Sequence, residues 1–211
     1  MTESKKLDRG FFITFEGADG CGKTTQSELI KQYLENKGYQ TIWTREPGSP
    51  GLGKKIRELL LHYDGDVAPR CEAFLFLADR AQHIEHTIKP AVEAGKIVLC
   101  DRHTDSTIAY QGYGRGEDIQ QLKYLNNLAT ADIKPDLTFV FDVSTEVAQT
   151  RVGDEKDRME SAGMEFHRKV REGYLKIAQE EPRRVKVINA DNSIEKVFDD
   201  TKKLLDDFLN Q

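Results

Sequence analysis

The sequence predicts an α/β fold, namely a three-layer α/β/α domain with a five-stranded parallel sheet and a short lid. Short apolar runs alternate along the chain with longer segments in which apolar residues recur at helical spacing. Strands that alternate with helices form a parallel sheet with both faces covered. A glycine-rich loop joins the first apolar run to the first helical segment. At 211 residues, the chain suits one domain spanning residues 1–211.

The apolar runs place the predicted strands. A parallel strand that is buried on both faces is apolar throughout, as residues 11–15 are. Comparable short runs bounded by turn residues complete the predicted sheet. The expected strands are residues 11–15, 40–44, 96–101, 136–142 and 184–188.

Helical spacing places the helices. They are expected at residues 24–37, around 52–60, and at 70–93, 117–130, 144–152 and 162–180, with a last helix from 192 onwards. Asn192 and Glu195 have the spacing of a capping box at the start of that last helix. Leu52, Ile56, Leu59 and Leu60 are expected to share one helical face. For the helix at 70–93 the predicted core stripe is Phe74, Leu77, Ala78, Ala81, Ile84 and Ile88.

Composition narrows the class of protein. The net charge of −5 argues against a general nucleic-acid binder. No apolar run approaches the ~18 residues of a membrane span, and the first ten residues lack an apolar signal region. Cys21, Cys71 and Cys100 lack metal-binding spacing and suit a reducing compartment. We therefore expect a cytoplasmic protein that binds neither membranes nor nucleic acid.

The glycine-rich loop carries the first functional prediction. Residues 17–24 fit the Walker A pattern G-x-x-x-x-G-K-[ST], with the preceding strand and following helix that the motif requires. Loop N–H groups and the helix N-terminus would cradle phosphate oxygens, whereas a chance glycine turn would lack this context. Lys23 would reach the β/γ-phosphates, and the Thr24 hydroxyl would hold Mg²⁺. The predicted nucleoside triphosphate site comprises Gly17, Ala18, Asp19, Gly20, Cys21, Gly22, Lys23, Thr24 and Thr25.

Polar residues follow the third predicted strand directly. Asp101 ends this strand and is expected to support Mg²⁺, directly or through water. Arg102 could fork onto a phosphate, and a helix cap with a surface salt bridge is the alternative. The next segment carries a polar face with one aromatic ring, for which plain surface exposure is the alternative. That face comprises Ser106, Thr107, Tyr110 and Gln111.

Two further groups lie after the second strand and on the long helix. Glu46 follows the second strand, and Arg57 lies off the apolar stripe of the next helix, where a solvated surface charge is the alternative. Phe76 and Arg80 are four residues apart and share a face away from the predicted core stripe. An aromatic ring beside an arginine suits a planar, carbonyl-bearing ring, and ordinary tertiary packing is the alternative.

The predicted lid covers about residues 151–161 and is rich in charge. Arg151, Lys156 and Arg158 lie in this polar segment between two predicted helices. A closing lid that delivers positive charge to a transferring phosphoryl group would have this composition. An inert charged loop is the alternative.

These motifs together closely resemble those of the thymidylate kinase (dTMP kinase) family, in particular the bacterial type. The Walker loop is shared by many families, but the ordered set is highly specific. No basic residue stands at positions 18–21, so the chain is similar to the family arrangement in which the lid supplies the basic residue. The matching motifs are Phe15-Glu16-Gly17, Lys23-Thr24-Thr25, Arg45-Glu46-Pro47-Gly48, residues 56–60, Asp101-Arg102-His103, residues 109–112, residues 134–137, Asp157-Arg158-Met159-Glu160 and Phe166-His167.

The resemblance implies transfer of the γ-phosphoryl group of Mg-ATP to dTMP, giving dTDP and ADP and feeding dTTP synthesis. It implies Mg²⁺ as the cofactor, ATP and dTMP as substrates, and a homodimer. Arg151 and the turn at 189–191, which contains Ala190, would flank adenine. The residues implied in catalysis are Lys23, Glu46, Arg102, Arg151, Lys156 and Arg158.

For dTMP, the resemblance implies that Phe76 stacks on thymine and that Arg80 donates to its carbonyl. Tyr110 would disfavour a ribose by occupying the space of a 2′-hydroxyl, and Glu46 would help to order the acceptor phosphate and metal-bound waters. The remaining implied contacts are Arg57 and Arg102 with the monophosphate, Asp19 with the sugar, and Ser106, Thr107 and Gln111 with the base.

The chemistry expected is in-line transfer to an acceptor phosphate. A phosphomonoester is already largely anionic at neutral pH, because its second pKa is about 6, so no strong general base is needed. A deoxynucleoside kinase is the nearest alternative, and it would need Glu46 as a base for a sugar hydroxyl. A nucleotide-dependent switch is a second alternative, in which Phe76 and Arg80 would have no purpose.

Overall fold

A parallel sheet of five strands forms the centre of the molecule. The computed structural model describes residues 5, 7–151, 158–159 and 162–210. Each predicted strand is confirmed to within one residue at either end. The order β2-β3-β1-β4-β5 places β1 in the middle of the sheet. The strands are β1 (Phe12–Glu16), β2 (Thr41–Arg45), β3 (Ile97–Asp101), β4 (Leu137–Asp142) and β5 (Val185–Asn189).

Helices connect the strands. A π-helical turn at Ile84–Ile88 joins α3 to α4, which confirms the long helix predicted at 70–93, and a second at Ile108–Gly114 extends α5. Among the described residues, none of the helices is both long enough and apolar enough to cross a bilayer. The helices are α1 (Lys23–Asn36), α2 (Leu52–His62), α3 (Pro69–His83), α4 (Lys89–Glu93), α5 (Thr104–Thr107), α6 (Ile119–Thr130), α7 (Thr145–Arg151), α8 (Met164–Glu180) and α9 (Ile194–Leu209).

Helices cover both faces of the sheet, which confirms the three-layer α/β/α fold. On one face Phe15 and Phe139 pack into a cluster with α1 and α9, to which α9 contributes Leu205. On the other face Phe12 packs with the π-helical turn and α4, and Val140 packs with α8. The apolar strands are therefore buried on both sides, as a parallel sheet requires.

The carboxyl ends of the strands place the polar residues at one edge of the sheet. The register pairs Phe15 of β1 and Arg45 of β2 with the same residue of β3, Asp101. Glu16 is the last residue of β1 and is fully buried at this edge. Ligands of open α/β sheets bind in the crevice outside these strand ends.

The predicted core stripe of the long helix is wrong in its first turns. Phe74 is 51% exposed and Ala78 is also exposed, whereas Leu77, Ile84 and Ile88 are buried as expected. The inward face of α3 instead carries charged residues whose partners lie on other segments. These polar side chains can be buried because each has partners in the interior. The spacing of apolar residues alone therefore predicted the wrong face of α3 to point inward. The buried polar residues of α3 are Glu72, Asp79, Arg80 and His83.

Two smaller expectations also need correction. In α2 only Ile56 and Leu60 of the predicted face are buried, while Leu52 and Leu59 are exposed. Ser193, not Asn192, caps α9, because its hydroxyl accepts a hydrogen bond from the backbone N–H of Lys196 at 3.3 Å. The predicted cap is therefore one residue early.

Candidate active site

The glycine-rich loop between β1 and α1 has a left-handed backbone that only glycine adopts readily. Gly20 has φ 78°, and a Cβ atom there would lie 2.4 Å from the carbonyl oxygen of Ala148. Gly22 precedes α1 and provides no side-chain cap, so the first N–H groups of the helix keep their capacity to bind an anion. The Lys23 ammonium lies 3.7 Å from the Asp19 carboxylate. The loop geometry therefore agrees with the phosphate cradle that the Walker pattern predicts.

A cavity of about 280 Å³ opens at the carboxyl ends of the strands beside this loop. It brings together most of the predicted site residues, and it also exposes Arg45, Pro47, Leu61 and Met159. Its predicted lining residues are Asp19, Gly20, Lys23, Thr24, Glu46, Arg57, Phe76, Asp101, Arg102, Ser106, Thr107, Tyr110 and Gln111. Cationic groups from the loop, α2 and the end of β3 therefore share one crevice with the Phe76 ring.

Thr24 and Asp101 form the part of the cavity that suits a metal ion. The Thr24 hydroxyl donates to Asp101 Oδ2 at 2.6 Å, which leaves its lone pairs available to a cation. Asp101 Oδ1 is buried without a hydrogen-bond partner among the described residues. A buried carboxylate oxygen without a donor is costly, and a metal-bound water would satisfy it. The residues present therefore fit Mg²⁺.

Arg102 is held at the phosphate loop by several hydrogen bonds. It has φ 70°, and its Nη1 donates to the Gly17 carbonyl at 3.0 Å. Its Nη2 donates to Asp19 Oδ1, and the Tyr110 hydroxyl donates to Asp19 Oδ2 at 2.9 Å. Burial alone would raise the pKa of Asp19, but the nearby charges of Arg102 and Lys23 outweigh it and lower this pKa. Arg102, Asp19 and Tyr110 thus form one charged, preorganised group.

Glu46 is a buried carboxylate whose two oxygens are both engaged. Oε2 accepts from Arg80 Nε at 2.9 Å, and Oε1 lies 2.9 Å from Nδ1 of His83 and of His103. Burial would raise the pKa of Glu46, but the charges of His103 and Arg80 hold it well below its usual range. A weakly basic carboxylate without a free lone pair facing substrate is a poor general base. Glu46 still lines the cavity, so its expected part in ordering the acceptor phosphate and metal-bound waters stays a prediction.

Arg80 lies behind the cavity wall and does not project beside Phe76. It is 1% exposed, and its guanidinium donates to Glu46, to Thr107 Oγ1 at 2.8 Å and to Asn126 Oδ1 at 2.6 Å. A further bond to the His103 carbonyl at 2.9 Å and the ion pair with Glu46 use the remaining donors. The five N–H groups of this arginine are thus engaged within the protein. The shared outward face expected for Phe76 and Arg80 is wrong.

Other predicted residues lie around the cavity. Arg57 lines it, with Nη1 donating to the Pro47 carbonyl at 2.8 Å. Arg151 Nη1 donates to the Ala190 carbonyl at 3.0 Å, so the two residues expected beside adenine are adjacent. Arg158 turns towards α2 and α3, where Nε donates to the Leu60 carbonyl at 3.0 Å. Lys156 lies outside the described residues.

The sequence analysis did not identify three buried residues that bind side chains of the cavity wall, namely Glu16, Glu72 and Tyr174. Glu16 accepts hydrogen bonds from the His103 N–H at 2.8 Å, the Ser106 hydroxyl at 2.6 Å and the Tyr174 hydroxyl at 3.1 Å. Burial, and next the charge of Asp105, raise the pKa of Glu16 to about 7. Its position at the end of β1 could have singled it out. Tyr174 and Glu72 lie within helices, where no motif or strand end in the sequence marks them as part of the site.

Comparison with known proteins agrees with this geometry. A family model described as thymidylate kinase matches residues 15–201. A thymidylate kinase of Desulfovibrio desulfuricans is 43% identical over 210 residues, covering 95% of this chain and 97% of that protein. One of Bifidobacterium longum (strain DJO10A) is 48% identical over 193 residues, covering 90% and 94%. The crystal structure of thymidylate kinase from Ehrlichia chaffeensis superposes with a TM-score of 0.78 at 39% identity, covering 93% of this chain and 99% of that one. The chain therefore belongs to the thymidylate kinase family.

Proposed function

We propose that this chain transfers the γ-phosphoryl group of ATP to dTMP, giving dTDP and ADP, and so feeds dTTP synthesis. The observation that carries the proposal is the shared cavity. Its walls combine the phosphate loop, the Phe76 ring as a platform for a base, and two arginines on different elements, Arg57 and Arg102. A nucleotide switch needs only the phosphate loop, whereas a second phosphate-bearing substrate needs the arginines as well.

The donor end is assigned to the phosphate loop. Gly17 to Thr25 bind the ATP phosphates through backbone N–H groups, and Lys23 neutralises charge on the β- and γ-phosphates. Arg151 and Ala190, joined by a hydrogen bond, flank the adenine. The basic residue that the lid would supply to the transferring phosphate on closure is one of Arg151, Lys156 and Arg158.

Mg²⁺ is the proposed cofactor, held by Thr24 and by Asp101 through water. When bound, the ion neutralises the developing charge on the transferring phosphate. The hydrogen bond from Thr24 to Asp101 fixes the hydroxyl so that its lone pairs face the cavity. The Oδ1 atom of Asp101, which has no hydrogen-bond partner in the part of the chain that the structure describes, supports this assignment.

The acceptor end is assigned to Arg57, Arg102 and the Phe76 wall. Arg57 and Arg102 bind the dTMP phosphate and orient its oxygen for in-line attack. No base is required, because a phosphomonoester is already anionic. The engagement of both Glu46 oxygens supports this acceptor over a sugar hydroxyl, and Glu46 acts as a positioning residue beneath Arg80 and His103.

The sugar subsite is assigned to Tyr110 and Asp19. Asp19 accepts a hydrogen bond from the Tyr110 hydroxyl and so holds the ring at the cavity wall. A ring held in this way would crowd a ribose 2′-hydroxyl but leave room for a deoxyribose. The base lies against Phe76, between Thr107 and Gln111, with Ser106 closer to Arg102.

A homodimer is the proposed assembly, supported by apolar side chains on three neighbouring helices. Helices α2 and α6 both pack against α3. The exposed apolar residues on these helices are Leu52, Leu59, Phe74, Tyr124 and Leu128. An apolar surface of this kind is typical of a subunit interface. Sedimentation equilibrium should give twice the chain mass for the wild type and the chain mass for Phe74→Asp, and a monomeric wild type would refute the assembly.

The reaction is tested by ADP formation from Mg-ATP with dTMP, dUMP, UMP and thymidine offered separately. We expect fast turnover with dTMP and slow turnover with UMP and thymidine. Turnover with thymidine alone would instead assign Glu46 as a base. Slow ATP hydrolysis that does not depend on an acceptor would refute the proposed acceptor site and leave only the assignment of the ATP site.

A further inference from the structure

Glu72 is a buried carboxylate that the mechanism above does not use. It lies in the first turn of α3 and is 0% exposed. It precedes Phe76 by one helical turn, so the two side chains lie on neighbouring parts of the same helix surface. A carboxylate this deeply buried is tolerated only where its charge and lone pairs are satisfied. The side chains that bind Glu72 therefore indicate what this carboxylate does beside the base pocket.

Three side chains from other elements converge on Glu72. Gln111 Nε2 donates to Oε1 at 2.8 Å, and Arg115 Nε lies 3.5 Å from the same oxygen. Arg158 Nη1 lies 2.6 Å from Oε2. All three side chains present donors to Glu72, so the carboxylate acts as an acceptor towards each of them, and an ionised carboxylate only accepts hydrogen bonds.

An acceptor-only partner fixes the orientation of the Gln111 amide. A glutamine side chain presents an oxygen at one end and an NH₂ group at the other, and rotation by about 180° exchanges them. Glu72 can bind only the NH₂ end, so the amide oxygen is the end left for a ligand. Gln111 lines the cavity with Phe76 and Thr107, where the base is assigned.

Glu72 also anchors the segment that precedes α8. Arg158 is adjacent to Met159, which lines the cavity and is buried in the cluster that contains Tyr110 and Phe166. The ion pair with Glu72 and the bond from Arg158 to the Leu60 carbonyl hold this part of the chain against α2 and α3. One carboxylate thus fixes two sides of the base pocket.

We infer that Glu72 is a positioning residue that sets the base specificity by holding the Gln111 amide oxygen towards the base. This inference rests on the proposed function. The amide oxygen accepts a hydrogen bond from a pyrimidine with an N3–H group, as in thymine or uracil. Cytosine presents a lone pair at N3, which repels the same oxygen. The site would therefore reject a cytosine nucleotide through a residue that does not touch it.

The test is Glu72→Gln, which replaces an acceptor-only group by an amide of the same shape that can also donate. The Gln111 amide is then free to turn its NH₂ end towards the base. We expect the ratio of kcat/KM for dTMP to that for dCMP to fall about tenfold or more, with the KM for ATP unchanged. Glu72→Asp keeps an acceptor-only charge, and its ratio should stay within about threefold of the wild-type value.

Asp105→Asn is the matched control, because Asp105 is also a buried carboxylate, paired with Arg184 at 2.7 Å, and does not line the cavity. It should leave the ratio unchanged. In a Gln111→Leu background, Glu72→Gln should no longer alter the ratio, since the amide through which it acts is absent.

An unchanged ratio in an active Glu72→Gln variant would overturn the inference, as would an equal loss in Asp105→Asn. Should Glu72→Gln fail to fold, a loss of discrimination in Glu72→Asp would overturn it equally. Failure of the proposed function is distinct, because it would appear as a wild-type protein that does not phosphorylate dTMP at all.

Discussion

Replacing Glu46 by glutamine should destabilise the protein more than it slows phosphoryl transfer. Glu46 and Arg80 are both buried, and their ion pair spans 2.9 Å. Glutamine keeps the shape of the side chain but removes its charge. The carboxylate accepts hydrogen bonds from Arg80, His83 and His103. Because one of its oxygens becomes an NH₂ group in glutamine, at least one of these donors would face another donor. The result is a buried arginine without its counter-charge.

The size of this effect follows from the burial of the pair. Breaking a buried ion pair by changing one partner costs about 3–5 kcal/mol. Because glutamine retains one acceptor oxygen, we expect the lower end, about 3 kcal/mol. For a chain of this length that loss corresponds to a fall in Tm of roughly 6–12 °C.

Urea unfolding and steady-state kinetics on the same preparation measure the two quantities. We expect kcat with dTMP to stay within about tenfold of wild type, because a general base would be worth about 10²–10⁴. Glu35→Gln is the control, since Glu35 is an exposed carboxylate that binds Lys31 and Thr41 and should change stability by less than about 0.5 kcal/mol. A fall in kcat beyond about 100-fold with unchanged stability would refute the reasoning.

Three further predictions concern the same cavity. Burial, with Asp105 next, raises the pKa of Glu16 from 4.5 to about 7, so the folded state holds a proton that the unfolded state releases. Wild-type stability should therefore fall by about 3 kcal/mol as pH rises from 4.5 to 7, and urea unfolding of Glu16→Gln should lack that fall. Asp101→Asn should raise the Mg²⁺ concentration for half-maximal activity about 10–100-fold in a titration at saturating ATP, and an unchanged midpoint would remove Asp101 from the metal site. Tyr110→Ala should raise kcat/KM for UMP relative to dTMP about tenfold, and an unchanged ratio would show that another group excludes the 2′-hydroxyl.

The sheet was predictable from the sequence because a parallel strand buried on both faces leaves a short, continuous apolar run. The phosphate loop was predictable because positive φ angles and close approach of the backbone demand glycine at fixed spacing. Asp101 and Arg102 followed from their position at the end of β3, where parallel sheets bind ligands.

The rotation of α3 was not predictable from apolar spacing. This helix has apolar residues on two faces, and the inward one is decided by partners such as Glu46 and Asn126, which are distant in the sequence. The same limit applies to Arg80, because three other segments, which carry Glu46, His103 with Thr107, and Asn126, meet around its guanidinium. Glu72 was missed because its partners Gln111 and Arg158 come from segments about 40 and 90 residues away.

The most direct test of the central claim is ³¹P NMR of the products formed from dTMP and Mg-ATP. If the dTMP phosphate is the acceptor, its resonance should be replaced by the two coupled resonances of dTDP, in one-to-one proportion with ADP. An unchanged dTMP resonance together with free inorganic phosphate would contradict the account, because the arginines at the acceptor end would then have no substrate to bind.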